Sequence, residues 1–514
     1  MLIRYKTVTS PQYIFWINAL IILFKIKNRR FFKLTSIFIL LTSLLIILES
    51  HGKDIINHDQ SAVTTFNHDN IRFWLTDADE AILFKQQTSK VTKGRIKNAK
   101  DIVITPDNIL QEMDGFGFTL NGGSALHLYN MSPAKRKALL IELFDYQENH
   151  IGVSYLRISI GSSDLDEKVF SYNDLSPGQT DVEMQHFSIE EDRKYLIPVL
   201  KEILSINPKI KILASPWSAP KWMKTNNHTV GGSLKQQYYP AYATYFVRYI
   251  QAMKQEGIPI DAITIQNEPL HDGNNPSMLM LAHEQAEFIK NNLGPAFKQA
   301  GIDTKIIIYD HNADKPNHPI SVLDDDEANP YIDGSAFHLY AGDINALTSV
   351  HKTHPDKNIY FTEQWVSASG DFWEDFKWHI RELVIGAPRN WSKTVLEWNL
   401  AADKHQRPHT SGGCNKCLGA LTISGDEVMR NPAYYTIAHI GKFVRPASRR
   451  IASTTSKALP NVAFKTTDNQ VVIIVLNDNH STLPFNIVIG SQSFHSSLSA
   501  GSVGTYVVPL GEHF

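Results

Sequence analysis

Eight short apolar runs, rich in Ile, Val and aromatic residues, punctuate residues 113–400 and are separated by longer amphipathic stretches. They cover 113–118, 153–160, 210–214, 262–266, 305–309, 334–339, 358–362 and 393–397. Strands alternating with helices imply a parallel sheet, because a parallel pair needs a crossover long enough to hold a helix. Eight such units over this length fit a (β/α)8 TIM barrel, which takes about 250 residues. The predicted fold class is α/β, a TIM barrel, with a small β-domain attached.

The intervening stretches carry helix signals of their own. In PAYATYFVRYIQAMKQE (240–256), Tyr242, Phe246, Tyr249, Ile250 and Met253 share one face, and Gly257 is placed to stop the helix. Ser132 and Pro133 supply an N-cap and a first-turn residue for a helix over 134–144. Past residue 429 the period changes: 462–465, 471–476, 485–489 and 505–508 read as strands between turn residues. Residues 71–105 are also strand-like in parts. The predicted domains are a leader over 1–52, an N-terminal part of the β-domain over 70–112, the barrel over 113–430 and the C-terminal β-domain over 431–514.

The first fifty residues differ from the rest. They hold seven Lys or Arg against the single acid Glu49, and an apolar run, LTSIFILLTSLLIIL (34–48), follows Arg29, Arg30 and Lys33. That run is short for a membrane span and fits the apolar core of an export signal, so the protein is expected to be secreted or periplasmic. A retained N-terminal anchor, helped by the apolar stretch 13–24, is the other reading, and the only expected route to a membrane. The whole chain has 50 basic and 52 acidic residues, so the part beyond the leader is acidic by about eight charges. Nucleic acid is excluded as a partner, since phosphate binding needs a basic face. The two cysteines, Cys414 and Cys417 in GGCNKCLG, are expected to form a local disulfide: an exported chain meets oxidising conditions, and no second pair completes a zinc site. Four sequons, at Asn130, Asn227, Asn390 and Asn479, matter only in a host that glycosylates exported proteins.

Reacting groups of a TIM barrel sit at the C-terminal ends of its strands. Two glutamates stand there: Glu268 after the fourth run, in AITIQNEPL, and Glu363 at the end of the seventh, in NIYFTEQW. Strands four and seven lie across the barrel mouth from one another, so their carboxylates can face one substrate. Cleaving a glycosidic bond with retention needs this chemistry, one carboxylic acid to protonate the leaving oxygen and one carboxylate to trap the sugar. Trp217, Trp365 and Trp398 lie near other strand ends, where aromatic faces can stack on sugar rings. Asp310, His311 and Asp314 in DHNADKPNHPI imitate metal ligands, but no pair repeats at a helical ligand spacing, and neither metal nor cofactor is expected.

The words DGFGFTLNGGSA, LRISIGSSD, LASPWSAPKWMKTN, TIQNEPL, SAFHLY, FTEQW and LEWNLA, in this order, resemble glycoside hydrolase family 30, the family of glucosylceramidases and β-1,6-glucanases. The resemblance runs from about Asp114 to the C-terminus. It implies a TIM barrel with a β-sandwich, retaining hydrolysis of β-glucosyl linkages, no cofactor, Glu268 as acid/base and Glu363 as nucleophile. It further implies Asp164 as a ligand of outer sugar hydroxyls, Arg157 beneath the carboxylates, and Trp217, Asn267, His338, Tyr340 and Trp398 as subsite residues. For His338, a core imidazole satisfied by backbone is the alternative. On this reading Glu268 should be held protonated and Glu363 ionised. The expected substrate is a β-glucoside, glycolipid or β-glucan, with glucosylceramide-type cleavage first and endo-β-1,6-glucan cleavage second; a silent carbohydrate-binding protein is the reading from another class. TLNGGSA after the first strand and HDGNNPS after Glu268 depart from the animal glucosylceramidase pattern and look more like the microbial branch with endo-β-1,6-glucanases.

Overall fold

The computed structural model describes residues 71–510, apart from residues 80, 89 and 90. The predicted leader over 1–52 lies outside the described residues. Among them, no helix is long and apolar enough to cross a membrane.

All eight apolar runs are strands, and they close into one parallel barrel: Gly115–Thr119, Tyr155–Ile160, Lys211–Pro216, Ala262–Thr264, Lys305–Asn312, Ile332–His338, Asn358–Glu363 and Ser392–Asn399. They are numbered one to eight below. Tyr155, Leu213, Ala262, Ile307, Ala336, Tyr360 and Leu396, one from each of strands two to eight, form a separate buried cluster that fills the barrel. Side chains of a strand return to the same face every second residue. One step further along, that face carries Arg157, Ser215, Thr264, His338, Thr362 and Trp398, all buried. The interior thus changes from an apolar plug to a polar floor within one layer, at the end of the barrel where the strands finish.

Strand five breaks the alternation. Ala336 pairs with Tyr309, but Phe337 pairs with His311, so Asp310 is an extra residue in a bulge. Tyr309 and Asp310 have φ of 72° and 58°, left-handed conformations that cost non-glycine residues about 1–3 kcal/mol each. A bulge re-aims a side chain, and this one turns the Asp310 carboxylate into the polar floor.

Around the barrel, the helix Tyr239–Gln255 buries Tyr242, Phe246, Tyr249, Ile250 and Met253, the face its periodicity predicts, and Gly257 follows at φ 81°. The second body is a ten-stranded sheet wrapped around its own apolar core. Strands before and after the barrel share it: Arg72–Asp77 pairs with Val503–Pro509, and Lys100–Glu112 lies between Arg449–Ser453 and Leu483–Ile489. A buried helix, Pro432–Gly441, joins it to the barrel. There His439 bridges the hydroxyls of Thr76 and Thr505 at 2.8 and 2.9 Å. Burial holds this imidazole neutral by pushing its pKa down to about 3.

Candidate active site

Arg157, fully buried on strand two, organises the floor. Its guanidinium donates to a carboxylate oxygen of Glu363, to Asn267 Oδ1 at 2.6 Å and to Asp310 Oδ2 at 2.8 Å, while Nε reaches Ser215 Oγ at 3.2 Å. Asp310 spends its other lone pairs on the hydroxyls of Thr264 (2.7 Å) and Thr362 (2.6 Å) and on His338 Nε2 (3.1 Å). Burial works against the Asp310 charge, yet Arg157 and His338 outweigh it and hold the carboxyl far below the usual carboxylate range. A buried charge with this many donors is a fixed anion.

Glu268 and Glu363 face the same imidazole. His338 Nδ1 lies 3.2 Å from Glu268 Oε1 and 3.8 Å from Glu363 Oε1, so these oxygens are at most about 7 Å apart, compatible with the 5–5.5 Å of a retaining pair. Glu363 Oε1 also accepts from the Tyr340 hydroxyl at 2.9 Å. Glu268 has φ 46°, and its N–H donates to the carbonyl of Asp310 at 2.9 Å, which ties the fourth strand end to the bulge in the fifth.

The electrostatics depart from the sequence expectation for the pair. Burial raises Glu268, but His311 and His338 outweigh it and hold the carboxyl well below its usual range. For Glu363, burial wins: it raises the pKa against the pull of His338 and Arg157, helped by the charges of Glu268 and Asp310. His338 is pushed up to about 9 despite its burial, by Glu363, Asp310 and Glu268. The proton expected on Glu268 therefore rests on His338 in the unliganded site. Sequence alone misses this because the imidazoles on strands five and six become neighbours of Glu268 only when the barrel closes.

The other predicted residues converge on the same mouth, with two corrections. Trp217 and Trp398 are not open plates: they are 1% and 3% exposed and pack on one another with ring centroids 5.3 Å apart. The Arg157 guanidinium lies against both rings, 4.8 and 5.8 Å from their centroids, and of the three tryptophans only Trp365, half-buried, keeps free ring surface. His338 is satisfied neither by backbone nor by an open cleft, since both ring nitrogens meet carboxylates. Among the ligand-like trio Asp310, His311 and Asp314, Asp310 is consumed by the floor. It is also the residue whose part sequence reasoning missed, because the fifth run was ended at Tyr309.

Asp164 stands in the loop after strand two, joined to the loop after strand eight. Cys414 and Cys417 are disulfide-bonded, and the Cys414 N–H donates to Asp164 Oδ2 at 3.1 Å. Thr410 N–H donates to the Asp164 carbonyl at 2.8 Å. Gly413 is required beside it, because a Cβ there would lie 2.3 Å from that carbonyl. The cysteines pack with Leu165, Trp217, Trp365 and Trp398. So short a ring constrains little chain entropy, but it fixes the N–H that holds Asp164. Reduction is expected to raise KM several-fold with little change in Tm, which kinetics and thermal melts with and without reductant check.

Behind Asp164 lie two more buried acids. Asp166 accepts from the Ser163 N–H and hydroxyl, and Asp192 accepts from the Tyr172 hydroxyl at 2.5 Å. Burial raises Asp166 to about 7 and Asp192 to about 8. A carboxyl raised in the folded state favours folding while it is protonated, so that contribution is full below the unfolded pKa near 4 and is lost as pH climbs through 7 and 8. Thermal melts are expected to give a lower Tm at pH about 8.5 than at pH about 5.5; a rising Tm over that interval would contradict it.

The fold and site geometry agree with relatedness to known proteins. Residues 113–444 match the glycosyl hydrolase family 30 TIM-barrel domain and 448–506 the family's β-sandwich domain. The chain belongs to glycoside hydrolase family 30 and is an O-glycosyl hydrolase. It is 35% identical to an endo-1,6-β-D-glucanase of Neurospora crassa over 79% of this chain and 87% of that one. To the lysosomal acid glucosylceramidase of Mus musculus it is 29% identical, over 79% and 83%. Among solved structures, the endo-β1,6-glucanase BT3312 superposes with a TM-score of 0.78 at 34% identity, covering 85% of this chain and 99% of that one.

Proposed function

We propose that this hydrolase is a retaining endo-β-1,6-glucanase in which Glu363 is the nucleophile and Glu268 the acid/base. The observation that carries the chemistry is the single imidazole, His338 Nδ1, within reach of both carboxylates. Glu363 is set for attack on the anomeric carbon: Arg157 and Tyr340 donate to its oxygens and favour the carboxylate form. When substrate displaces water, the His338 Nδ1 proton passes across the 3.2 Å contact to Glu268 Oε1, and Glu268 delivers it to the leaving oxygen. The covalent glycosyl-enzyme is then opened by a water that Glu268, now a base, deprotonates.

The polymer reading rests on the acceptor side. The leaving group lies beside the acid, and the segment that follows Glu268 exposes His271, Asp272 and Gly273. These polar groups suit sugar hydroxyls better than the alkyl chains of a ceramide. The higher identity to endo-1,6-β-glucanases points the same way, and it reverses the order in which the sequence motifs ranked the two substrates. A linear β-1,6-glucan should give a ladder of β-1,6-linked oligosaccharides; glucose released from glucosylceramide, with the glucan untouched, would contradict the reading.

Asp164 is proposed to hold hydroxyls of the sugar being transferred. Asp164→Ala is expected to lower kcat/KM about 10- to 100-fold, the scale of hydrogen bonds to a charged group. Unchanged kcat/KM would remove Asp164 from the site.

A further inference from the structure

The carboxylate proposed as acid/base is also one corner of a set of metal-type ligands. Glu268, His311 and His338 each offer one ligand atom, and these atoms all lie within 4.8 Å of one another. His311 Nδ1 is 3.7 Å from Glu268 Oε1, and His338 Nδ1 is 3.2 Å from it. Two further observations point to a cation. His311, 7% exposed, keeps its Nδ1 without a hydrogen-bond partner among the described residues, although a buried imidazole nitrogen is ordinarily satisfied. His338 Nε2 faces Asp310 Oδ1 at 3.1 Å, the carboxylate–imidazole arrangement that orients metal-ligating histidines and leaves the other nitrogen free to bind.

We propose that Glu268, His311 and His338 form a binding site for a borderline divalent transition ion, with Zn2+ the reference, and that the bound ion inhibits hydrolysis. Two imidazoles and one carboxylate suit Zn2+ or Cu2+ better than Mg2+ or Ca2+, which favour oxygen ligands. The charge balance allows it, because Glu268, Glu363 and Asp310 outnumber Arg157 at the floor. Binding replaces the proton on His338 Nδ1, which leaves to solvent, and the ion occupies the Glu268 oxygen that would protonate the leaving group. The site itself stands on geometry; its inhibitory effect rests on the proposed role of Glu268.

The test separates the two. Full-length protein stripped of metal is titrated with Zn2+ by calorimetry and with Co2+ by visible absorption, as wild type, His311→Ala and His311→Asn, each checked by thermal melt for a folded state. Wild type should take up one equivalent and give Co2+ ligand-field bands of a nitrogen- and oxygen-ligated site. The folded His311 variants should bind at least about tenfold more weakly and lose those bands. No Zn2+ uptake by wild type, or equal affinity in the variants, would overturn the site. In parallel, Zn2+ should abolish turnover of an aryl β-glucoside in proportion to occupancy. Full occupancy with turnover intact would leave the site standing and overturn both the inhibition and the acid/base role of Glu268.

Discussion

Replacing Glu363 by Ala should lower kcat by roughly 10⁴-fold or more with every substrate, whatever its leaving group, the scale seen when a covalent nucleophile is removed. The residue lies at the end of strand seven, buried, with Arg157 and Tyr340 donating to its two oxygens. Those donors exist to hold a carboxylate, and without it neither can attack carbon. Added azide should enter the vacated space and restore turnover, giving an α-glucosyl azide from an activated β-glucoside. Chromogenic assays with and without azide, and NMR of the product, check this. Activity within tenfold of wild type would remove Glu363 from the mechanism.

Glu268→Ala should behave differently although the side chain removed is the same. If Glu268 is the acid/base, as proposed, a poor leaving group loses its proton donor, and hydrolysis of a β-1,6-glucan should fall about 10²- to 10⁴-fold. A dinitrophenyl glucoside needs no such help: its glycosyl-enzyme should form at near wild-type rate and accumulate, because the base that activates water is missing. Azide should then release a β-glucosyl azide, the opposite anomer to that from Glu363→Ala. The pH profile should change as well. On the proposed mechanism the proton for Glu268 is supplied by His338, which its carboxylate neighbours push up to about 9, so activity should fall on the alkaline side as that imidazole empties; the variant should lose this limb for the activated substrate. Equal losses for both leaving groups would contradict the acid/base assignment.

The barrel was legible in the sequence because seven of its strands carry one residue each of a continuous apolar plug, and runs such as KIIIY or NIYF betray themselves by composition. Glu268 and Glu363 were legible for the same reason, since Glu268 closely follows a readable run and Glu363 ends one. Asp310 was not: it enters the floor through a bulge, and a period-two reading of strand five ends at Tyr309. The strand Gln492–Leu498, with the sequence QSFHSSL, was missed because serines stand where a readable strand would show apolar residues. Trp217 looked like a stacking surface because sequence gives position along a strand but no exposure; the guanidinium of Arg157 and Trp398 already cover it. The depressed pKa of Glu268, opposite to the sequence expectation, has the same origin, since charge interactions between strands are set only at closure.

The most direct test is to trap the intermediate. A 2-deoxy-2-fluoro-β-glucoside with an activated leaving group slows both steps and the second more, so the sugar should stay on the protein. Peptic digestion and tandem mass spectrometry then locate it. The account predicts one fluoroglucosyl group per chain, esterified to Glu363 in the FTEQW peptide and absent from Glu363→Ala. A label on Glu268, or inactivation without any covalent label, would contradict it.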